Sequence, residues 1–248
     1  MAYRAVLFDL FDTLVMFDRE RLPLVEIDGQ TQRSTAGLLH AVVERHFPAI
    51  SLGTVHAGLR ASWKEAERQR EIDHREVAAP ERFAHFLKCV EIDAAACPRD
   101  LVQTLIDTHR RELGKAAEFP AHHGPLLERL ATRYRLAVVS NFDYSPTALD
   151  ILERAGVSGL FEEIVVSDAI GWRKPHARIF EEALGRMRLR PVEALFVGDR
   201  IDIDVIGAHR LGMDTAWINR EGTPLPPDHP APTFEIRDLG ELQAILGV

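Results

Sequence analysis

The chain has 248 residues, 46% hydrophobic and 27% charged, a mix that excludes a disordered or fibrous protein and suits one large domain or a domain carrying a sizeable insertion. With 38 acidic against 30 basic side chains the formal net charge is −8, and no Lys/Arg block stands out, which argues against a nucleic-acid partner. No apolar run reaches the roughly 18 residues that a membrane span needs, and MAYRAVLFD lacks the pattern of a signal segment, so a cytoplasmic protein with no membrane partner is expected.

In chain order, YRAVLF (3–8) is a short apolar run that stops abruptly at Asp9, the pattern of a buried parallel strand. Residues 17–120 change character: TAGLLHAVVERHF, HAGLRASWKEAERQREI, PERFAHFLKCVEI and PRDLVQTLIDTHRREL carry apolar residues at helical spacing between Gly and Pro breaks, which predicts an all-helical insertion. Cys89 and Cys97 within it suit neither a metal knuckle nor a disulfide framework. After Pro120 helices and strands alternate, with strands expected at RLAVVS (135–140), EIVVS (163–167), ALFVG (194–198) and DTAWI (214–218) and helices near 124–132, 146–155, 177–187 and 203–211. The fold class is therefore α/β, a doubly wound parallel sheet formed by residues 1–16 and 121–248 and interrupted by the helical domain 17–120. The run TPLPPDHPAP (223–232) reads as an irregular loop before a last helix, DLGELQAILG.

In an open α/β sheet ligands bind beyond the carboxyl ends of the strands, so the residues that end each strand come next. These are Asp9, then Ser140-Asn141, then Ser167-Asp168 with Lys174 on the following loop, then Gly198-Asp199 with Asp204 beyond. Three carboxylates at one sheet edge repel one another and a single lysine does not neutralise them, whereas a divalent cation does; an all-oxygen set suits Mg²⁺.

The four segments DLFDTLV, VVSNFD, GWRKPHARIF and VGDRIDIDVIGA, in this order, resemble motifs I to IV of the haloacid dehalogenase-like hydrolase superfamily, over about residues 1–16 and 120–220. The resemblance implies a Rossmann-like core with residues 17–120 as a cap between motifs I and II, and a hydrolase acting on a small, phosphorylated molecule. It implies Asp9 as the nucleophile that forms a covalent intermediate, Lys174 as the group that holds nucleophile and substrate anion, and Thr13, Ser140 and Asn141 as phosphate or oxyanion donors. Mg²⁺ would be held by Asp9, the backbone carbonyl of Phe11, Asp199 and Asp204. Asp202 has no motif counterpart and reads as solvated, Trp172, Arg173 and His176 read as packing and surface groups, and the pair His122-His123 lacks a clustered third ligand and predicts no zinc site.

One position departs from the phosphatase pattern. Relatives carry a second carboxylate two residues after the nucleophile, the acid/base of the reaction, and here that position is Phe11; Asp12 lies one residue further and is expected to aim elsewhere. An aromatic residue there resembles the 2-haloacid dehalogenase branch, which attacks carbon without a metal. That branch tends to replace the Gly-Asp of motif IV by neutral residues and carries a Tyr six residues after the lysine, where this chain keeps Gly198-Asp199 and has Phe180. The expectation is thus a Mg²⁺-dependent phosphatase with altered acid/base chemistry; a dehalogenase-like enzyme and a catalytically weak binding module are the alternatives.

Overall fold

A computed structural model describes residues 3–248, with Ala94 described by its backbone alone. The chain divides into two compact units, one formed by Met1–Phe17 with Glu118–Val248 and the other by Asp18–Ala117.

The first unit is built on a sheet of strands β1 (Ala5–Phe8), β2 (Arg135–Ser140), β3 (Phe161–Val166), β4 (Ala194–Gly198), β5 (Asp214–Ile218) and β6 (Phe234–Ile236). Their order is β6-β5-β4-β1-β2-β3 and every pair is parallel. Central β1 is buried at all four positions, as a strand covered on both faces must be. Ala5 and Leu7 lie in one core with Ala137, Val139, Phe196 and the apolar face of the helix Ala177–Arg186, where Phe180 stacks edge-on against Phe196 at 5.1 Å. Each buried phenyl ring contributes about 1.5–3 kcal/mol over exposure. The alternate β1 residues face the opposite side, where Phe8 meets Phe161 at 6.5 Å. Gly207 lets its helix close on this core, because a Cβ there would lie 2.5 Å from the Phe180 ring.

The expected strand at 163–167 runs instead from Phe161 to Val166, and Ser167 opens a one-turn helix. Sequence pattern missed β6 altogether: three residues after a Pro-rich loop carry too little periodicity to register, yet they complete the sheet by pairing with Ala216–Ile218.

The second unit contains four helices, α1 (Ala36–Val43), α2 (Leu52–Asp73), α3 (Ala79–Cys89) and α4 (Leu101–Ala116). It is not all-helical. Leu24–Ile27 and Gln30–Arg33 form an antiparallel hairpin around Asp28-Gly29, whose φ angles of 53° and 74° are those of a type I′ turn. Helix α2 starts at Ser51, whose Oγ accepts from the Thr54 N–H at 3.1 Å, and stops at His74 in the left-handed region at φ 61°. Gly58 allows α2 to approach α3, since a Cβ there would lie 2.5 Å from Val90. Among the described residues no helix is long and apolar enough to cross a membrane.

Candidate active site

Register brings the strand ends together. Phe8 pairs with Val138 on one side and Val197 on the other, so Asp9 emerges level with Val139 and Gly198, with Ser140 and Asp199 one residue, roughly 3.3 Å, further along. The Asp9 N–H donates to the Val197 carbonyl at 2.9 Å, which extends the ladder by one residue and fixes where its side chain leaves the sheet.

Lys174 lies at the centre of the cluster. Its ammonium is 2.5 Å from Asp9 Oδ1 and 2.8 Å from Asp204 Oδ1, and sits 5.2 Å above the Phe196 ring. The side chains of Lys174 and Asp204 are each 1% exposed. Oxygens of Asp9, Asp199 and Asp204 all lie within 4.8 Å of one another. Asp204 is not at the start of an α-helix as its position suggested. It sits in a wider, π-type turn, Ile201–Val205, which turns its carboxylate back so that Oδ2 accepts from the Arg200 N–H at 3.1 Å. Gly198 is required by this return: a Cβ there would lie 2.3 Å from Asp204 Oδ2.

The electrostatics follow from three carboxylates sharing one lysine. Burial pushes the Asp9 carboxyl up to about 6, Lys174 working against the shift and Asp204 adding to it. Burial pushes Asp199 up further, to about 8, with repulsion from Asp9, Asp204 and Asp12 added and Lys174 offsetting a part. Burial alone would lower Lys174, but Asp204 and Asp9 outweigh it and hold the ammonium above its ordinary value. Asp199 Oδ1 is buried and has no hydrogen-bond partner among the described residues. An all-oxygen cluster with an orphaned oxygen and excess negative charge fits a hard divalent cation such as Mg²⁺. The hydroxyls of Thr13 and Ser140, both fully buried, likewise have no partner among the described residues, and are donors free for an anion.

Asn141 is placed differently from the expected anion donor. Its Oδ1 accepts from the Lys174 N–H at 2.7 Å and its Nδ2 donates to the Lys174 carbonyl at 2.9 Å, so the side chain brackets the Lys174 backbone. Asn141 is thus a brace for the lysine. Phe11 packs between Phe142, at 4.9 Å, and Phe17, at 6.3 Å. Asp12 is exposed at φ 56°, with Oδ1 accepting from the Phe17 N–H at 3.1 Å and its carbonyl from Arg220 at 2.5 Å. Asp202 pairs with Arg200 at the surface, and Trp172 is stacked between His176 and Arg178.

Trp217 was not legible as a site residue. It lies opposite Gly198 across the β4–β5 ladder, and its indole N–H donates to the Asp199 carbonyl at 2.9 Å, holding the backbone of that carboxylate. The only signal was its place on a strand; the partner depends on register. The pair His122-His123 does have a third potential ligand close by, since Asp238, distant in sequence, brings an oxygen within 4.8 Å of both.

Residues 61–218 match the model of the haloacid dehalogenase-like hydrolases, more than half of the chain, and the chain belongs to that family. Asp9 precedes the matched segment, but longer alignments include the N-terminal region. The chain is 29% identical over 246 residues to a glyceraldehyde 3-phosphate phosphatase of Methanopyrus kandleri, covering 96% of this chain and 95% of that protein. It is 34% identical over 146 residues to the protein of the same name from Methanothermobacter thermautotrophicus, a match that spans 57% of this chain and 64% of that one. Among solved structures it is similar to YfnB of Bacillus subtilis bound to magnesium, with a TM-score of 0.62, 25% identity and full coverage of both chains. A 2-haloacid dehalogenase from Pseudomonas syringae pv. Tomato DC3000 shares the fold, with a TM-score of 0.77 at 22% identity over 100% of this chain and 99% of that one.

Proposed function

We propose that this chain is a Mg²⁺-dependent phosphatase acting on a small phosphorylated molecule through an aspartyl-phosphate on Asp9, with residues 1–16 and 121–248 as the catalytic core, residues 17–120 as a cap that selects the substrate, and the cytoplasm as its setting. The observation that carries this reading is the cluster of buried Asp9 and Asp204 and half-buried Asp199 around one lysine. Asp9, Asp199, Asp204 and the Phe11 carbonyl would hold Mg²⁺, which when bound supplies neutralisation of carboxylate and phosphate charge. Lys174 fixes one Asp9 oxygen and leaves the other for in-line attack on phosphorus. An O–P bond forms at Asp9 as the bond to the leaving oxygen breaks; Lys174, Thr13 and Ser140 donate to the remaining phosphoryl oxygens. Water then attacks phosphorus, releases inorganic phosphate and restores Asp9.

With Phe11 at the usual acid position, no side chain there protonates the leaving oxygen. Activated phosphates are therefore the favoured substrates. The archaeal relatives named for glyceraldehyde 3-phosphate make that alkyl ester the natural comparison. Phe11 is also the observation that keeps the dehalogenase reading as a second one, in which Asp9 displaces halide from carbon without metal. The test is an activity screen with Mg²⁺ or EDTA on p-nitrophenyl phosphate, acetyl phosphate, glyceraldehyde 3-phosphate and 2-haloacids. Phosphate release that depends on Mg²⁺ supports the phosphatase; halide release in EDTA with no phosphate release would overturn it.

A further inference from the structure

Outside the carboxylate cluster, one other group among the described residues gathers metal-ligating atoms: His122, His123 and Asp238, each offering one atom within 4.8 Å of the others. Its chemistry differs from that of the Mg²⁺ candidate. His123 is 2% exposed and its Nδ1 lies 2.9 Å from the Leu14 carbonyl. A carbonyl only accepts, so Nδ1 carries the proton and Nε2 of the neutral ring keeps its lone pair. That is the arrangement in which an outer carbonyl orients a metal-binding imidazole. Burial first, then the neighbouring His122 and Arg220, hold this ring below its ordinary pKa, against the Leu14 hydrogen bond and Asp238. Asp238 is oriented as well: Oδ1 accepts from the Gly240 N–H at 2.7 Å, which leaves Oδ2 directed to His122 Nε2 at 3.4 Å. His122 is exposed, with Nε2 turned toward Asp238.

We propose that His122, His123 and Asp238 form a second metal site, specific for a borderline transition ion such as Zn²⁺ and independent of the catalytic cluster. Two imidazoles and one carboxylate suit Zn²⁺ over Mg²⁺, with water to complete the coordination. The positive end of the helix His123–Ala131 opposes a cation here, so the affinity is moderate. The site ties three distant segments, since His123 holds the Leu14 carbonyl five residues past Asp9 and Asp238 belongs to the C-terminal region. Its role is a clamp on the motif I loop, and the ligand geometry does not depend on the phosphatase reading.

The test is calorimetric titration of untagged full-length protein with Zn²⁺ in saturating Mg²⁺, with melting temperature as a second readout. Exposed His122→Ala retains the fold, and Asp238→Asn keeps the oxygen that caps Gly240, so neither result is confounded by unfolding. The expected outcome is one Zn²⁺ equivalent that raises the melting temperature, persists in Asp199→Asn and weakens at least about tenfold in His122→Ala and in Asp238→Asn. Zn²⁺ binding lost in Asp199→Asn but kept in His122→Ala would place the ion at the carboxylates and overturn the proposal. No Zn²⁺ binding in wild type, or binding indifferent to all three substitutions, would overturn it equally.

Discussion

Each unit buries a cluster of charges, and the two clusters are balanced differently. In the inserted unit Arg70 lies 2.5 Å from Glu67 and 2.7 Å from Glu76, and donates to the Val77 carbonyl at 2.9 Å, while Glu76 accepts from the Val77 N–H at 3.0 Å. The guanidinium there is held between two carboxylates, Glu67 on α2 and part-exposed and Glu76 in the segment that joins α2 to α3, with the Val77 carbonyl beside it. At the sheet edge three carboxylates share Lys174, and Asp199 is pushed up to about 8, first by burial and then by its neighbours. A cluster in which every carboxylate contacts the cation of its own segment holds structure. A cluster with uncompensated charge stores a demand that only a ligand meets, which is why perturbed carboxylates gather at functional sites.

The largest expected effect that tests this contrast is at Asp9. Asp9→Asn removes the attacking charge with little change of shape, and turnover of any phosphate ester should fall by roughly 10⁴-fold or more. Its metal-free melting temperature should hold or rise, because one of three repelling charges is gone. Wild-type turnover in this variant would remove Asp9 from the chemistry altogether.

Next in size is the insertion. Breaking a buried pair by removing one partner costs about 3–5 kcal/mol, so Glu76→Gln should lower the melting temperature by about 10 °C while leaving the Mg²⁺ response intact. Asp199→Asn should do the reverse, with no loss of metal-free stability but loss of the Mg²⁺-dependent rise, which amounts to about 2.7 kcal/mol at a hundredfold excess over Kd. Calorimetric scans of both variants with Mg²⁺ and with EDTA read this directly. Equal stability losses in the two would erase the distinction between the clusters.

A smaller effect concerns Phe11. General acid catalysis is worth roughly 10²–10⁴-fold, and alkoxide leaving groups need it far more than aryl oxides or acyl carboxylates. Phe11→Asp, which replaces the ring in contact with Phe142 and Phe17 by a carboxyl, should therefore accelerate glyceraldehyde 3-phosphate hydrolysis by about 10²-fold relative to acetyl phosphate. An unchanged ratio of kcat/KM values in a folded variant would mean that another group already supplies the proton.

The smallest is a pH slope. Asp199 titrates at about 8 and Asp9 at about 6 in the folded protein, against an ordinary 3.8 when unfolded. Between those values the folded state holds protons that the unfolded chain has lost, so these groups make metal-free stability fall as pH rises from about 4 to about 8. Mg²⁺ takes the place of the proton and should flatten the slope. Urea unfolding in EDTA across that range, compared with Asp199→Asn, isolates the contribution; identical slopes would assign it to other groups.

The alternating strands, the helical character of the insertion and the resemblance carried by four motifs were all legible in the sequence, because those signals are local: apolar period, Gly and Pro breaks, and the polar residue at each strand end. Asp28-Gly29 is a local hairpin signal as well, in a segment whose C-terminal side carries helical periodicity. What only the tertiary structure decided depends on register and long-range approach. Ladder pairing puts Trp217 beside Gly198 and so under the Asp199 backbone, and gives the three residues of β6 a strand to join. A wider turn sends Asp204 back to Lys174, Asn141 finds both its partners on a residue 33 positions away, and Asp238 meets a histidine 116 positions before it. Propensity encodes which element a residue joins. Which side chains then share a dielectric is set by packing between elements, and the chemistry of both clusters resides there.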